Sequence, residues 1–306
     1  MAASHYELIV IGEGVAGLTA ARHAADAGLH AAMIEATLFG GLITNINKLD
    51  PVPAIDDGEA PTMGADLAAM LLEASVNAGA EHLDDRVVSL RRGTTGLAVQ
   101  TERAEYSATA VIIATGARIR PLGVPGETEL FGRGVSQCAD CDGPLHHDNE
   151  VVVVGGGDSA LQEALALAEH CSRVHLVHRR DRFRGRAELA ERVVARSNIR
   201  IHWNTIVDAI EGSAEVEAVR LRHGGVIVRL PCAGVFAYAG LIANTTFLPA
   251  DVVLDDGGRV RTDAQLLTSM LGVYAAGAVR SGCGGTLDDA MRDGHRAAQS
   301  AVAGRR

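Results

Sequence analysis

The sequence predicts an α/β fold with two Rossmann-like dinucleotide-binding domains, one inserted in the other. Two segments of the 306-residue chain share the same order of a short apolar strand, a glycine-rich turn and an apolar helix. The first turn is 12–17 and the second is 155–160. This internal duplication, in a chain long enough for two domains, is the main observation behind the fold prediction.

The first unit begins with the apolar residues 8–11, which are typical of a buried parallel strand. A GxGxxG turn follows, then an alanine-rich helix from Leu18 to Ala27, and the next strand, 31–34, ends at Glu35. An acid at this distance from the glycines accepts a hydrogen bond from a ribose 2′-hydroxyl. We therefore expect this unit to bind a dinucleotide with free ribose hydroxyls, such as FAD.

The second unit repeats this order, with strands at 151–154 and 174–177 and a helix at 161–168 between them. Where the first unit has its acid, the second has a basic cluster made of His178, Arg179, Arg180 and Arg184. Cations at this place suit a ribose 2′-phosphate. The second unit is therefore expected to bind NADPH.

A pair of cysteines precedes the second unit. Cys138 and Cys141 are separated by two residues, and Asp142 follows directly. Such a pair can close a small disulfide and open it again, and the thiolate is the attacking species. A dithiol next to a dinucleotide unit predicts electron transfer between a nucleotide and sulfur, with Asp142 placed to hold or supply a proton.

Composition excludes several other classes. A net charge of −10 argues against nucleic acid or an anionic membrane as the main partner. No apolar run approaches the roughly 18 residues that a membrane span needs, and the N-terminus lacks the basic start of a signal peptide. Five cysteines, an odd and sparse set, fit a reducing cytoplasm with one special pair, and no ligand spacing predicts a metal site.

The order of these motifs resembles the low-molecular-weight thioredoxin reductases, which are FAD- and NAD(P)-dependent pyridine nucleotide-disulfide oxidoreductases. The resemblance covers nearly the whole chain, in the segments 12–17, 40–41, 114–116, 132–136, 138–143, 155–160 and 178–181. It implies a homodimer with an FAD domain at 1–118 and 247–306 and an NADPH domain at 119–246. NADPH would reduce FAD, FAD would reduce the Cys138–Cys141 disulfide, and the dithiol would reduce thioredoxin or a similar small protein.

The resemblance also implies roles for individual residues. Cys141 is expected to face the flavin, Cys138 to attack the partner disulfide and Asp142 to serve as acid and base. The expected FAD-binding residues are Gly12, Gly14, Ala16, Gly17, Glu35, Gly41, Thr115, Gly116, Gly277 and Ala278. Those expected to bind NADPH are Gly155, Gly157, Asp158, Ser159, His178, Arg179, Arg180 and Arg184.

Three departures from the family pattern concern the flavin side. Ala278 stands where the family has an acid. Leu42 follows the Gly-Gly pair at a position where the family usually has Gln, and Pro51–Ala54 replaces the family's Asn-Trp-Pro-Gly stretch shortly after it. The family's Arg-Gln-Ala segment is replaced by 286–290. Two alternatives therefore stay open: a related flavin oxidoreductase with another acceptor, such as a dithiol oxidase or diaphorase, and a flavin-impaired nucleotide-binding redox sensor.

Overall fold

The computed structural model of the chain describes residues 4–46, 49, 53, 60–94 and 96–305. The chain divides into two compact units. Unit 1 comprises Met1–Arg118 and Ile242–Arg306, and unit 2 comprises Ile119–Leu241. Unit 2 is thus an insertion in unit 1, and it ends at Leu241, whereas the sequence suggests an end at residue 246.

The described strands, in chain order, are β1 (His5–Ile11), β2 (Ala31–Glu35), β3 (Glu81–Asp84), β4 (Val87–Gly93), β5 (Gly96–Thr101), β6 (Glu105–Ile113), β7 (Ala117–Ile119), β8 (Val135–Ser136), β9 (Glu150–Gly155), β10 (Arg173–Val177), β11 (Ile199–His202), β12 (Thr205–Glu211), β13 (Ala218–His223), β14 (Val226–Pro231), β15 (Gly234–Tyr238), β16 (Leu241–Ala243) and β17 (Val273–Ala275). The α-helices are α1 (Val15–Asp26), α2 (Gly64–Asn77), α3 (Ala139–Asp142), α4 (Asp158–Leu167), α5 (Ala187–Ala195) and α6 (Leu287–Ala303). Short 3₁₀ helices cover Gly41–Asn45, Gly143–His146 and Gly277–Val279. None of the helices described here has the length and apolar character needed to cross a membrane.

Unit 1 is built on a sheet with the strand order β3-β2-β1-β6-β5-β4, and β17 also pairs with β6. The strands β1, β2, β3, β6 and β17 run parallel to one another, while β5 pairs antiparallel with β6 and β4 antiparallel with β5. The strand β6 changes partner along its length. Its first half pairs with β5, and Val111–Ile113 pair with β17. Residues 8–11 of β1 and the strands β2 and β17 are nearly continuous apolar runs because both of their faces are covered.

Helices α1, α2 and α6 cover one face of this sheet with small and branched apolar side chains. Helices α1 and α6 come close together because Gly294 of α6 presents only hydrogen to the backbone of α1. A Cβ atom at Gly294 would lie 2.3 Å from the carbonyl oxygen of Ala16. The opposite face of the sheet is covered by residues of the returning chain, among them Val252, Val260 and Met270.

Unit 2 is built on a parallel sheet with the strand order β11-β10-β9-β15-β8. Helices α4 and α5 cover one face with the side chains of Leu161, Leu167 and Leu189. The other face packs against the antiparallel sheet β12-β13-β14, which contributes Val207 and Val219 to the second core of this unit. Both units therefore place the carboxyl ends of parallel strands next to a glycine turn, where α/β proteins bind nucleotides.

The fold predicted from the sequence is confirmed, but the helices after both glycine turns begin earlier than expected. Helix α1 begins at Val15 instead of Leu18, and α4 begins at Asp158 instead of Leu161. The reason is that only the first three residues of each six-residue pattern form the turn, and the last three already lie in the helix. Gly17, the last glycine of the first pattern, already lies inside the first turn of α1.

The contact between α1 and α6 gives a stability prediction. We expect Gly294→Ala to lower the free energy of unfolding by about 1–3 kcal/mol, because the added methyl group must push α6 away from a backbone carbonyl. Urea denaturation followed by circular dichroism measures the change. Gln299→Ala, at an exposed position of the same helix, serves as the control and should change the value by less than about 0.5 kcal/mol. Equal stabilities for the two variants would contradict the prediction.

Candidate active site

The first glycine turn brings β1, α1 and β6 into backbone contact. Gly12 has a φ of +100°, and a Cβ atom there would lie 2.6 Å from the carbonyl oxygen of Ala114. A Cβ atom at Gly17 would lie 1.9 Å from the carbonyl oxygen of Gly12. At Gly14, by contrast, a Cβ atom would meet only the Gly40 oxygen, at 3.9 Å. The turn is therefore tightly packed at Gly12 and Gly17, whereas there is free space at Gly14, the residue before α1.

The open side of this turn fits the pyrophosphate of a dinucleotide. Helix α1 has no side-chain cap at Gly14 and no acidic residue in its first turn, so its first N–H groups are left for an anion. Ala16 lies in that first turn, and it is close enough to Gly277 that a Cβ atom at Gly277 would come within 2.8 Å of the Ala16 Cβ. The fold thus brings together predicted FAD-binding residues from the two ends of unit 1.

Glu35 lies beside this turn at the end of β2, as the sequence pattern predicts for the ribose acceptor. Its Oε2 accepts a hydrogen bond from Glu13 N at 2.9 Å, and its Oε1 accepts one from Ala36 N at 2.8 Å. The carbonyl oxygen of Glu13 accepts from Gly40 N at 2.7 Å, which ties the Gly40-Gly41 pair to the turn. One network therefore holds the predicted acid and both glycine segments in place.

The side chain of Glu13 is a component of this network that the sequence analysis missed. It is fully buried, and its Oε1 lies 2.6 Å from Nδ1 of His82 on β3. Burial raises the pKa of Glu13, and the nearby charge of Glu35 acts in the same direction, while the hydrogen bond from His82 opposes them. The Glu13–His82 pair could not be predicted from a local sequence pattern, because the two residues lie 69 positions apart in the chain.

On the flavin side, the structure places Gly277 and Ala278 in the short 3₁₀ helix after β17. Gly277 N donates to Oδ2 of Asp293 at 3.1 Å, and Arg280 pairs with both Asp293 oxygens at 2.5 and 2.6 Å. Asp293 is a buried acid of α6 that sequence reasoning missed. Because both of its oxygens already have partners, Asp293 stabilises the turn before Arg280.

Thr115 and Gly116, where the chain leaves the sheet of unit 1, are held by Asn244, which also lies in unit 1. The Thr115 hydroxyl donates to the Asn244 carbonyl at 2.7 Å, and the Asn244 side-chain amide donates to the Thr115 carbonyl at 2.9 Å. Asn244 N also donates to the carbonyl of Gly116 at 3.1 Å. These reciprocal bonds fix the backbone of two predicted cofactor-binding residues.

The departures from the family pattern have different structural consequences. Leu42 lies in the 3₁₀ helix Gly41–Asn45 with 39% of its surface exposed. Thr286 and Asp289 form a capping box that begins α6, so the replaced segment 286–290 now starts a helix. Pro51 and its neighbours Val52 and Ala54 lie outside the described residues.

The second glycine turn, in unit 2, has the same plan as the first. A Cβ atom at Gly156 would lie 2.3 Å from the ring of His178, whereas one at Gly157 would have nothing within 4 Å. Helix α4 follows without a side-chain cap, and Ser159 is exposed in its first turn. The turn therefore leaves room for a second pyrophosphate at Gly157.

A basic segment, defined here as residues 178–186, lies next to this turn. The backbone nitrogens of Arg184 and Gly185 both donate to the carbonyl of Gly156, at 2.7 and 3.1 Å. His178 is buried beneath the turn, and burial lowers its pKa, so it packs there as a neutral ring. Exposed positive charge at this place is contributed by Arg182 and by the three arginines expected to bind the coenzyme, Arg179, Arg180 and Arg184. Within the described part of the chain, no carboxylate forms an ion pair with these three guanidinium groups.

Cys138 and Cys141 form a disulfide at the beginning of α3. Cys141 is exposed and Cys138 is half-buried. The backbone N–H of Cys141 points at Sγ of Cys138 at 3.2 Å, an arrangement that favours a thiolate at Cys138 once the disulfide is reduced. Asp142 is half-buried, and its N–H donates to the Cys138 carbonyl at 3.1 Å.

The cysteine pair is anchored by Glu163 of α4, which sequence reasoning missed. Oε2 of Glu163 accepts a hydrogen bond from the N–H of Ala139, between the two cysteines, at 2.9 Å. The same oxygen accepts from the Tyr238 hydroxyl at 3.0 Å. Burial raises the pKa of Glu163, although both hydrogen bonds act against the shift. The redox pair is thus tied to the helix of the second glycine turn.

The other cysteines stay protonated and poorly reactive. Burial raises the pKa of Cys171 to about 11 and that of Cys232 to about 12, and it also raises the pKa of Cys283. The described residues contain no cluster of three or more His, Cys, Asp or Glu side chains suited to a metal ion.

Comparison with known proteins agrees with this geometry. The profile of the family described as "Pyridine nucleotide-disulphide oxidoreductase" matches residues 6–303. A thioredoxin reductase of Treponema pallidum is 37% identical over 299 residues, which cover 97% of this chain and 96% of the relative. The chain belongs to the thioredoxin reductases of this family. A second relative, the thioredoxin reductase of Listeria innocua, is 36% identical over 300 residues, covering 97% of this chain and 92% of its own.

Solved structures of the family have the same fold. The thioredoxin reductase of Lactococcus lactis superposes with a TM-score of 0.89 and 31% identity, over 98% of both chains. The enzyme of T. acidophilum gives a TM-score of 0.88, again with 31% identity and 98% coverage of both chains. The resemblance stated from the motifs is therefore confirmed: this flavoprotein is an NADPH-dependent disulfide oxidoreductase, and its cofactors are FAD and NADPH.

The buried carboxyl beneath the cysteine pair gives a pH-dependent prediction. Because the folded pKa of Glu163 lies above the unfolded value of about 4.3, the unfolded chain releases this proton first as the pH rises. The wild type should therefore lose stability relative to Glu163→Gln between pH 4 and the raised pKa. Urea denaturation of both proteins across this range measures the difference, and a constant difference would contradict the prediction.

Proposed function

We propose that the protein transfers electrons from NADPH through FAD and the Cys138–Cys141 disulfide to the disulfide of thioredoxin or a similar small protein. The observation behind this proposal is the disulfide itself, with one exposed cysteine and one whose sulfur receives a backbone N–H. The other three cysteines have raised pKa values, so this pair is the reactive one. The relatives' name, thioredoxin reductase, supports the choice of partner.

Unit 1 is proposed to bind FAD and unit 2 to bind NADPH. The open position at Gly14 and the uncapped start of α1 would hold the FAD pyrophosphate, and Glu35 would accept from the ribose. Gly157 would face the NADPH pyrophosphate, with the arginines of the basic segment on its 2′-phosphate. When bound, FAD would supply the hydride-accepting chemistry that connects NADPH with the disulfide.

The reduced cysteines would then carry out two thiol–disulfide exchanges. The Cys138 thiolate attacks one sulfur of the partner disulfide, which forms a mixed disulfide and breaks the partner's S–S bond. Cys141 next attacks Sγ of Cys138. This step restores the intrachain disulfide and releases the partner sulfur that was bound in the mixed disulfide. Two electrons and two protons leave the dithiol in total, and Asp142 is proposed to transfer protons to and from the sulfurs.

We further propose that the protein works as a homodimer in the cytoplasm. The dimer is suggested by the family resemblance. The cytoplasmic location is supported by the cysteine content, since three of five cysteines are unpaired thiols in a fold with a single disulfide.

The flavin side favours one second candidate: a related flavin oxidoreductase that passes electrons to another acceptor. Ala278 supplies no carboxylate where the family has an acid, and the nearby Asp293 is already bound to Gly277 and Arg280. Hydrogen bonds from the protein tune a flavin's potential and orientation, so this change bears on the acceptor that the enzyme prefers.

The central test removes the two sulfurs one at a time. We expect Cys138→Ser and Cys141→Ser each to lower NADPH-dependent reduction of thioredoxin at least about 1000-fold, because neither variant can complete both exchanges. Oxidation of NADPH at 340 nm with thioredoxin as acceptor measures the rate. Cys283→Ser is the matched control and should keep the wild-type rate. Full activity in Cys138→Ser with a small-molecule acceptor would favour the second candidate.

A second test concerns the missing acid. We expect Ala278→Asp to tighten FAD binding roughly tenfold, because a carboxylate hydrogen bond to a ligand contributes about 1.5 kcal/mol. Quenching of flavin fluorescence on titration of FAD into the apoprotein gives the dissociation constant without any turnover. Unchanged or weaker binding in Ala278→Asp would show that Asp293 and Arg280 have already made this position independent of an acid.

A further inference from the structure

The carboxylate of Asp158, at the first position of α4, has both oxygens committed to one residue. Its Oδ1 accepts the backbone N–H of Arg186 at 2.7 Å, and its Oδ2 lies 3.1 Å from Nε of the same residue. Asp158 is one of the residues that the family resemblance predicts to bind the coenzyme. In the structure its contacts go instead to the end of the basic segment, 178–186.

Those contacts fix the last residue of the basic segment, whose other attachments in the described part of the chain run from His178 to Gly185. His178 Nε2 lies 2.9 Å from the Arg182 carbonyl, and the nitrogens of Arg184 and Gly185 donate to Gly156. Asp158 adds the last attachment, directly after Gly185. This glycine fits so closely that a Cβ atom there would lie 2.9 Å from Oδ1 of Asp158.

The same pair also reduces the negative charge at the start of α4. A carboxylate in the first turn of a helix repels an anionic ligand bound at that helix end. The Arg186 guanidinium lies 3.1 Å from this carboxylate and offsets part of its charge. The helix start can then accept a pyrophosphate although it carries an acid.

We propose that the Asp158–Arg186 pair is a positioning device that sets the selectivity of unit 2 for NADPH over NADH. It holds Arg184 and its neighbours beside the glycine turn, where they would bind the 2′-phosphate, and it acts without touching the coenzyme. This inference rests on the proposed binding of NADPH by unit 2. It concerns residues that act through the arginines, so it is distinct from the role of the arginines themselves.

Each substitution has its own signature. Asp158→Ala frees the end of the basic segment, so affinity for NADP⁺ should fall about tenfold, the effect of one charged hydrogen bond, and affinity for NAD⁺ should fall far less. Asp158→Asn keeps an acceptor for Arg186 N and should retain most of the selectivity. Arg186→Ala leaves Asp158 as an unpaired anion at the helix start and should weaken both nucleotides.

The experiment measures dissociation constants of NADP⁺ and NAD⁺ by isothermal titration calorimetry on the full-length FAD-loaded protein, which requires no turnover. Glu191→Ala, an exposed acid on α5, is the matched control and should keep the wild-type ratio of the two constants. Thermal unfolding of each variant separates loss of selectivity from loss of stability. The ratio is expected to drop about tenfold in Asp158→Ala and to recover in Asp158→Asn.

Two results would overturn the inference. One is an unchanged ratio in Asp158→Ala, and the other is an equal loss of both affinities in that variant. A wild-type protein that binds neither nucleotide would instead overturn the proposed function. A wild type that binds both with equal affinity would overturn the selectivity device and leave the proposed electron transfer untouched.

Discussion

Both nucleotide sites depend on one constraint: a helix must begin almost in contact with the backbone of the strand and turn before it. In unit 1 this contact is between Gly17 and the carbonyl of Gly12, where no side chain could fit. In unit 2 a Cβ atom at Gly155 would lie 2.5 Å from the Cβ atom of Ala160 in α4, so this helix also begins close to its turn. Only then do the first N–H groups of the helix face the space left by Gly14 or Gly157. The glycines thus both permit the packing and create the anion site.

Acidic side chains near these turns hold the neighbouring segments in place. Glu13 links the first turn to β3, Asp293 holds the segment after β17, and Glu163 fixes the cysteine pair to the helix of the second turn. Each of these acids is at least partly withdrawn from water and hydrogen-bonded, which is the condition for keeping a polar group inside a protein. The reactive disulfide is therefore held by the same helix that begins at the coenzyme site.

The features predictable from sequence are those encoded within short spans. The glycine turns, the acid at Glu35, the basic segment and the cysteine pair all follow from spacing along the chain, and the family assignment rests on their order. The buried acids are different, because their partners come from distant segments. Glu163 meets Ala139 24 residues away, and Glu13 meets His82 across 69 residues. The sequence places both helix starts three residues too late for a local reason: the last three residues of each glycine motif lie inside the helix and not in the turn.

The two strands at which the chain passes between the units, β7 and β16, pair with each other. The chain therefore leaves unit 1 and re-enters it at neighbouring strands. Within the topology of unit 1, the whole of unit 2 is equivalent to one long loop. Because the entropy of closing a loop grows only slowly with its length, an insertion of this kind destabilises its host little. The arrangement is that of a module that can be replaced as a whole in evolution: a different insert with adjacent ends would leave the sheet of the host intact.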